Sequence, residues 1–206
     1  MPRPLFAFYT QVYHSPVDLL YGQLQGITQA DTVVLAERSE HLDLFPVSRL
    51  VLAEEWRTPF VRIKNAIVRR IRKLRNEDSC RWRLRPHVVR RLAGQLKMIK
   101  PSLLYCLHGH HATQLLDILD AANQSIPIVY LAAGGDVTAP GTMGPGYLER
   151  LRNVWDRSPI ILSGSKFLRD RLVQLGAPKD KIRVHYIGVS IPAGSRIATG
   201  NHDVRL

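Results

Sequence analysis

Four loops hold most of the side chains in this 206-residue chain that are able to do chemistry. One carries His108, His110 and His111, three imidazoles able to contact a hydroxyl or a phosphate. They stand at the start of a helix, where backbone N–H groups and the helix dipole favour an anion. The next loop, AAGGDVTAPGTMGPG, carries Gly134 and Gly135, which allow close backbone approach, and Asp136, whose carboxylate can accept from ligand hydroxyls or fix the loop. Its later Pro and Gly residues suggest a mobile lid. Ser163 and Lys166 line a third turn, where Ser165 reads as the N-cap of a helix over Lys166–Leu175. The fourth, TQVYHSP, brings His14 but no glycine, so it lacks a Gly-rich phosphate cradle. A zinc site needs three or four converging ligands. Adjacent histidines on a turn rarely all converge, so no metal is expected. For every one of these residues, ordinary surface or capping duty is the plainer alternative.

The elements that must position them are legible as strands alternating with helices. From Lys100 to Pro192 the chain reads strand, turn, helix three times over. The front reads as strand Leu5–Tyr9, loop from Thr10 to Pro16, helix Val17–Gly26 and strand Thr32–Glu37, then loop to Pro46. Such alternation predicts an α/β fold: a Rossmann-like parallel sheet with helices on both faces. Ligands of such sheets bind at the carboxyl ends of the strands, which directs attention to Leu107–His111, Ala133–Gly146, Ser163–Lys166 and Ile187–Pro192.

The stretches KPSLLYCLHG, PIVYLAAGGDVT and SKFLRDRLVQLGAPKDKIRVHYIGVS resemble the second half of the N-terminal, acceptor-side domain of family 4 retaining glycosyltransferases. These are enzymes of two facing Rossmann-like domains, the GT-B fold. The third match carries the most weight, because its spacing holds over more than twenty residues. The resemblance implies sugar transfer from a nucleotide-sugar donor, itself a substrate, with no further cofactor. It implies a lipid-linked or polysaccharide-precursor acceptor. Asp136 becomes the candidate catalytic carboxylate. His14, His108, His110, His111, Gly134, Gly135, Ser163 and Lys166 become the candidate substrate-binding set. The family histidine before Gly-x-Asp corresponds to Ala133, which can neither hydrogen-bond nor move a proton. This implies an inactive homologue or a shifted role for a nearby histidine. The Asp of the family's Gly-Val-Asp turn corresponds to Ser190. The family's donor-binding domain, with its Glu-x7-Glu motif, has no counterpart here. The resemblance therefore implies one half of an enzyme, inactive alone, with the donor domain supplied in cis or in trans. Residues 1–192 would form the domain and 193–206 a linker-like tail.

Charge is concentrated in one place. Arg57 to Lys100 holds fifteen Lys or Arg against Glu77 and Asp78, a local net of +13, against +12 for the whole chain, so the other residues carry a net of −1. Phe60, Ile63, Ile67, Ile71 and Leu74 recur at helical spacing, with Thr58 and Pro59 at the helix start. A second helix is expected over Pro86–Met98, with Val88, Leu92 and Leu96 inward and Arg90, Arg91 and Lys97 outward. This basic pair reads as a solvated outer face, as a membrane-surface patch through Arg62, Arg69, Arg70 and Lys73, or as a phosphate-binding face for nucleic acid. Trp56, Phe60 and Trp82 are not interleaved with the arginines as a stacking platform requires, so nucleic acid is disfavoured. A hydrophobic fraction of 45% argues against global disorder. No apolar run approaches membrane-spanning length. The start MPRPLFAFYTQVYHS does not read as a signal peptide. Cys80 and Cys106 form no disulfide framework, so a cytoplasmic location is expected, peripheral on the inner face of a membrane if the basic patch docks there. A noncatalytic module binding a membrane or partner stays open beside the enzyme reading.

Overall fold

The computed structural model describes residues 3–13, 23–24, 26–39, 47–53 and 83–186. The expectations at His14, at Arg62, Arg69, Arg70 and Lys73, for the first basic helix, at Cys80, for residues 187–192 and for the 193–206 tail lie outside these residues. Seven strands form one sheet: β1 Leu5–Tyr13, β2 Asp31–Ser39, β3 Leu50–Leu52, β4 Leu103–Leu107, β5 Ile128–Ala132, β6 Ile161–Ser163 and β7 Ile182–Val184. Every pairing is parallel, in the order β3-β2-β1-β4-β5-β6-β7. The order reverses between β1 and β4. A crevice opens at such a switch point, above the strands' carboxyl ends.

The central strands are apolar on both faces, as a covered parallel sheet requires. Ala7, Tyr9, Val33, Leu35, Leu104, Cys106, Ile128 and Tyr130 face one core. Phe8, Val34, Ala36, Tyr105 and Leu131 face the other. The first core is closed by helices α1 Pro86–Ile99, α2 Gly109–Ala122, α4 Tyr147–Arg157 and α5 Lys166–Gln174. The second receives Leu24, which with Gln23 is helical. Between β5 and α4 lie a single helical turn, α3 Gly135–Thr138, and a 3-10 turn, Pro140–Met143.

The helix reading was good where local signals are strong. In α1, Val88, Leu92 and Leu96 are buried while Arg90, Arg91 and Lys97 are exposed. The Ser165 hydroxyl accepts the Leu168 N–H at 3.1 Å and caps α5. Trp155 donates its indole N–H to the Tyr130 hydroxyl at 2.8 Å, which fastens α4 to β5 inside the core.

Three expectations need correction. β1 does not stop at Tyr9, because Thr10, Val12 and Tyr13 pair with Ala36, Arg38 and Ser39. Residues of high β-propensity there find a partner strand of matching length. β4 ends at Leu107, level with Thr10, so the β1–β2 pair projects beyond the sheet's carboxyl edge by Gln11–Tyr13 and Glu37–Ser39. β3 is a short edge strand that the sequence did not announce. Part of the expected loop 133–146 is helical: Val137 is buried, and the N–H groups of Val137 and Thr138 both donate to the Gly134 carbonyl at 3.0 Å.

Candidate functional site

The turn from β4 into α2 lies at the switch point. His108 takes φ 66° and ψ 142°, a conformation that costs a non-glycine residue energy. Its N–H donates to the Leu131 carbonyl at 2.9 Å, which ties the turn to β5. This conformation gathers the three imidazoles. The His110 and His111 ring centres are 4.1 Å apart, and His108 lies 5.4 Å from His110 and 5.9 Å from His111. His111 Nδ1 is 2.8 Å from the Leu107 carbonyl. A carbonyl only accepts, so Nδ1 carries the proton. Burial, then neighbouring His108, pulls His110 down to about 4. Burial, then His110 and His108, holds His111 well below the usual imidazole range. Both rings are therefore neutral at pH 7. Among the described residues, no three His, Cys, Asp or Glu side chains are placed to hold a metal ion.

Asp136 fastens this turn to the next. Its carboxylate accepts the Gly109 N–H at 2.6 Å on Oδ2 and the Gly134 N–H at 3.1 Å on Oδ1. Burial raises its pKa, opposed by the amide of Gly109, the nearby His108 and the amide of Gly134. With 4% of its surface exposed, Asp136 presents its oxygens to backbone rather than to the crevice. Both oxygens thus tie the two turns together. Gly134 sits at φ 152° and ψ −108°, open only to glycine, and that lets its amide turn back to Asp136. Gly135 is exposed beside it.

Gly109 is required by contact. A Cβ there would lie 2.7 Å from Tyr147 Oη, 2.9 Å from Leu151 Cδ1 and 3.2 Å from Asp136 Oδ2. Gly109→Ala is expected to cost about 2 kcal/mol, the range of an overpacked core. Urea unfolding measures this, and a loss under about 0.5 kcal/mol would show that the pocket yields instead.

The polar floor continues under the crevice. The Tyr9 hydroxyl donates to Gln114 Oε1 at 2.9 Å, and its ring stands edge-on to His111 at 5.8 Å. Glu37, at the carboxyl end of β2, accepts from Arg85 and, at 3.3 Å, from Gln11 Nε2. This pairing joins the projecting strands to the start of α1. Tyr9, Gln11, Glu37, Arg85 and Gln114 were not singled out from sequence. Gln114 had a readable signal, since it follows His110 by four positions on one helix. Ser163 and Lys166 lie two strands away. Ser163 is buried with its hydroxyl donating to the Ser165 carbonyl at 2.7 Å, and Lys166 is exposed.

A doubly wound parallel sheet with histidines and a buried carboxylate at its switch point defines a Rossmann-like domain built to present one crevice. The family model for Glycosyltransferase Family 4 matches residues 33–191, and the chain belongs to that family. Among solved structures it is similar to HepE from Anabaena in complex with UDP-glucose, at 12% identity and a TM-score of 0.58. That match covers 90% of this chain and 44% of HepE. It is also similar to WaaB, a lipopolysaccharide outer core galactosyltransferase (11% identity, TM-score 0.57, 92% of this chain and 47% of WaaB). UDP-GlcNAc 2-epimerase from Neisseria meningitidis, bound to UDP-GlcNAc, follows at 14% identity and a TM-score of 0.51, covering 88% of this chain and 45% of the epimerase. At these identities the likeness is one of fold. The chain spans less than half the length of each. No curated protein matches it.

Proposed function

We propose that this chain is the acceptor-side half of a glycosyltransferase, binding the saccharide that receives a sugar from a nucleotide-sugar held by a second domain. The observation that carries this reading is the histidine turn at the switch point, with His110 and His111 neutral at pH 7, within a chain of this family. Two uncharged imidazoles, His110 and His111, and a tyrosine–glutamine pair suit hydroxyl-rich ligands. A crevice meant for a diphosphate would call for cations, and the cation described at this floor, Arg85, is ion-paired with Glu37. The acceptor is a saccharide, free or lipid-linked. Donor binding and turnover require the second domain.

An array of free and lipid-linked saccharides, incubated with this protein, tests the proposal. Retention of a defined set of saccharides is expected, with no retention of UDP-glucose by this chain alone. Tight UDP-glucose binding with no saccharide retained would sink it.

A second reading concerns α1. Its outer face carries Arg90, Arg91, Lys97 and an exposed Met98, cations beside one apolar side chain. Such a face suits an anionic bilayer. No helix among the described residues is long and apolar enough to cross a membrane. Flotation with phosphatidylserine vesicles, reversed by high salt, is the expected result if α1 docks the domain.

A further inference from the structure

Two side chains at the switch point, buried Gln114 and half-buried His110, have buried atoms with no partner in the protein. Gln114 is fully buried, and its Oε1 is occupied by the Tyr9 hydroxyl while its Nε2 has no hydrogen-bond partner. The buried Nδ1 of His110 also has none. Buried polar atoms in folded proteins are almost always paired, and an open one costs about 1–3 kcal/mol. Both side chains lie on one face of α2, because residues four apart in a helix are neighbours. His111, three positions before Gln114, joins them. Its Nδ1 donates to the Leu107 carbonyl, which leaves Nε2 able only to accept.

The open set is therefore one amide donor and, in the tautomer with its proton on Nε2, one His110 acceptor, with the accepting Nε2 of His111 on the same turn. Its complement is a group that accepts one hydrogen bond and gives another, which a hydroxyl does. An ionised phosphate oxygen only accepts, and His110, neutral at pH 7, brings no charge to attract it. Resting on the acceptor-side reading above, we infer that the His110–Gln114 face of α2 binds an uncharged hydroxyl group of the saccharide, with Gln114 as its specificity-determining donor. The same chemistry would suit one internal water, and the two sources are separable.

The test follows the histidine ring signals of the whole protein by NMR during separate titrations with glucose and with inorganic phosphate. Glucose is expected to move the His110 and His111 signals saturably, and phosphate to leave them in place. Gln114→Leu removes the donor and is expected to weaken the glucose response about tenfold, the effect of one hydrogen bond. His110→Phe keeps a ring and removes the open nitrogen. It should weaken the response similarly, and it serves if Gln114→Leu fails to fold. Three results would overturn the inference. The first is a phosphate response stronger than that to glucose. The second is a water cross-peak at the Gln114 amide with no glucose response, which assigns the position to internal water. The third is glucose binding of unchanged strength in both variants. That last result moves the saccharide elsewhere and leaves the acceptor-side reading intact, whereas a saccharide array that retains nothing removes the reading itself.

Discussion

Asp136→Ala is expected to destabilise the domain by about 3 kcal/mol, because it strands two backbone donors that the carboxylate now satisfies. Those donors are the N–H groups of Gly109 and Gly134, at 2.6 and 3.1 Å. They belong to the two turns that enclose the crevice, so the loss is local before it is global. Hydrogen exchange at Gly109 and Gly134 should accelerate ahead of exchange in β4 and β5. Asp136→Asn keeps one acceptor and should lose roughly half as much. Urea unfolding with exchange measured on both variants checks this. If Asp136→Ala were as stable as the parent protein, the carboxylate would not be what joins the turns. If Asp136→Asn instead abolished turnover of the assembled enzyme at unchanged stability, Asp136 would be a catalytic residue after all.

Acidification should destabilise the fold by an effect of similar size. An unfolded histidine titrates near 6.5, whereas His110 in the fold is pulled to about 4. Below 6.5 the unfolded chain gains a proton that the folded one refuses. The stability associated with neutral His110 is therefore complete above pH 6.5 and is lost as pH falls toward 4. A separation of that size corresponds to about 3 kcal/mol. His111, lowered in the same direction, adds to the loss. Asp136 and Asp117 are raised by burial and act with the opposite sign, offsetting part of it. Comparing unfolding of the parent protein and His110→Phe across this range isolates the histidine share. Parallel pH profiles for the two proteins would refute the assignment.

Legibility followed the range of the interactions. β4, α2, β5 and α5 were readable because each announces itself within a dozen residues, by apolar runs, Gly-rich turns and the Ser165 cap. The far half of β1 was not, since Thr10–Tyr13 is extended only because β2 offers a matching ladder about twenty-six positions later. The histidine turn was visible as a motif. What makes it a site was not, because Tyr9 and Gln114 are 105 positions apart. Asp136 was visible as a carboxylate in a glycine loop, but its nearest bond reaches back 27 positions to Gly109. Sequence identified the residue type, and only the fold revealed which groups its oxygens face.

The projecting β1–β2 pair gives the domain an uneven rim. At the rise of a strand, Gln11–Tyr13 stand about 10 Å proud of the level where β4 ends. With β4 ending at Leu107, this stretch of β1 is held by one ladder, to β2, where Phe6–Tyr9 are held by two.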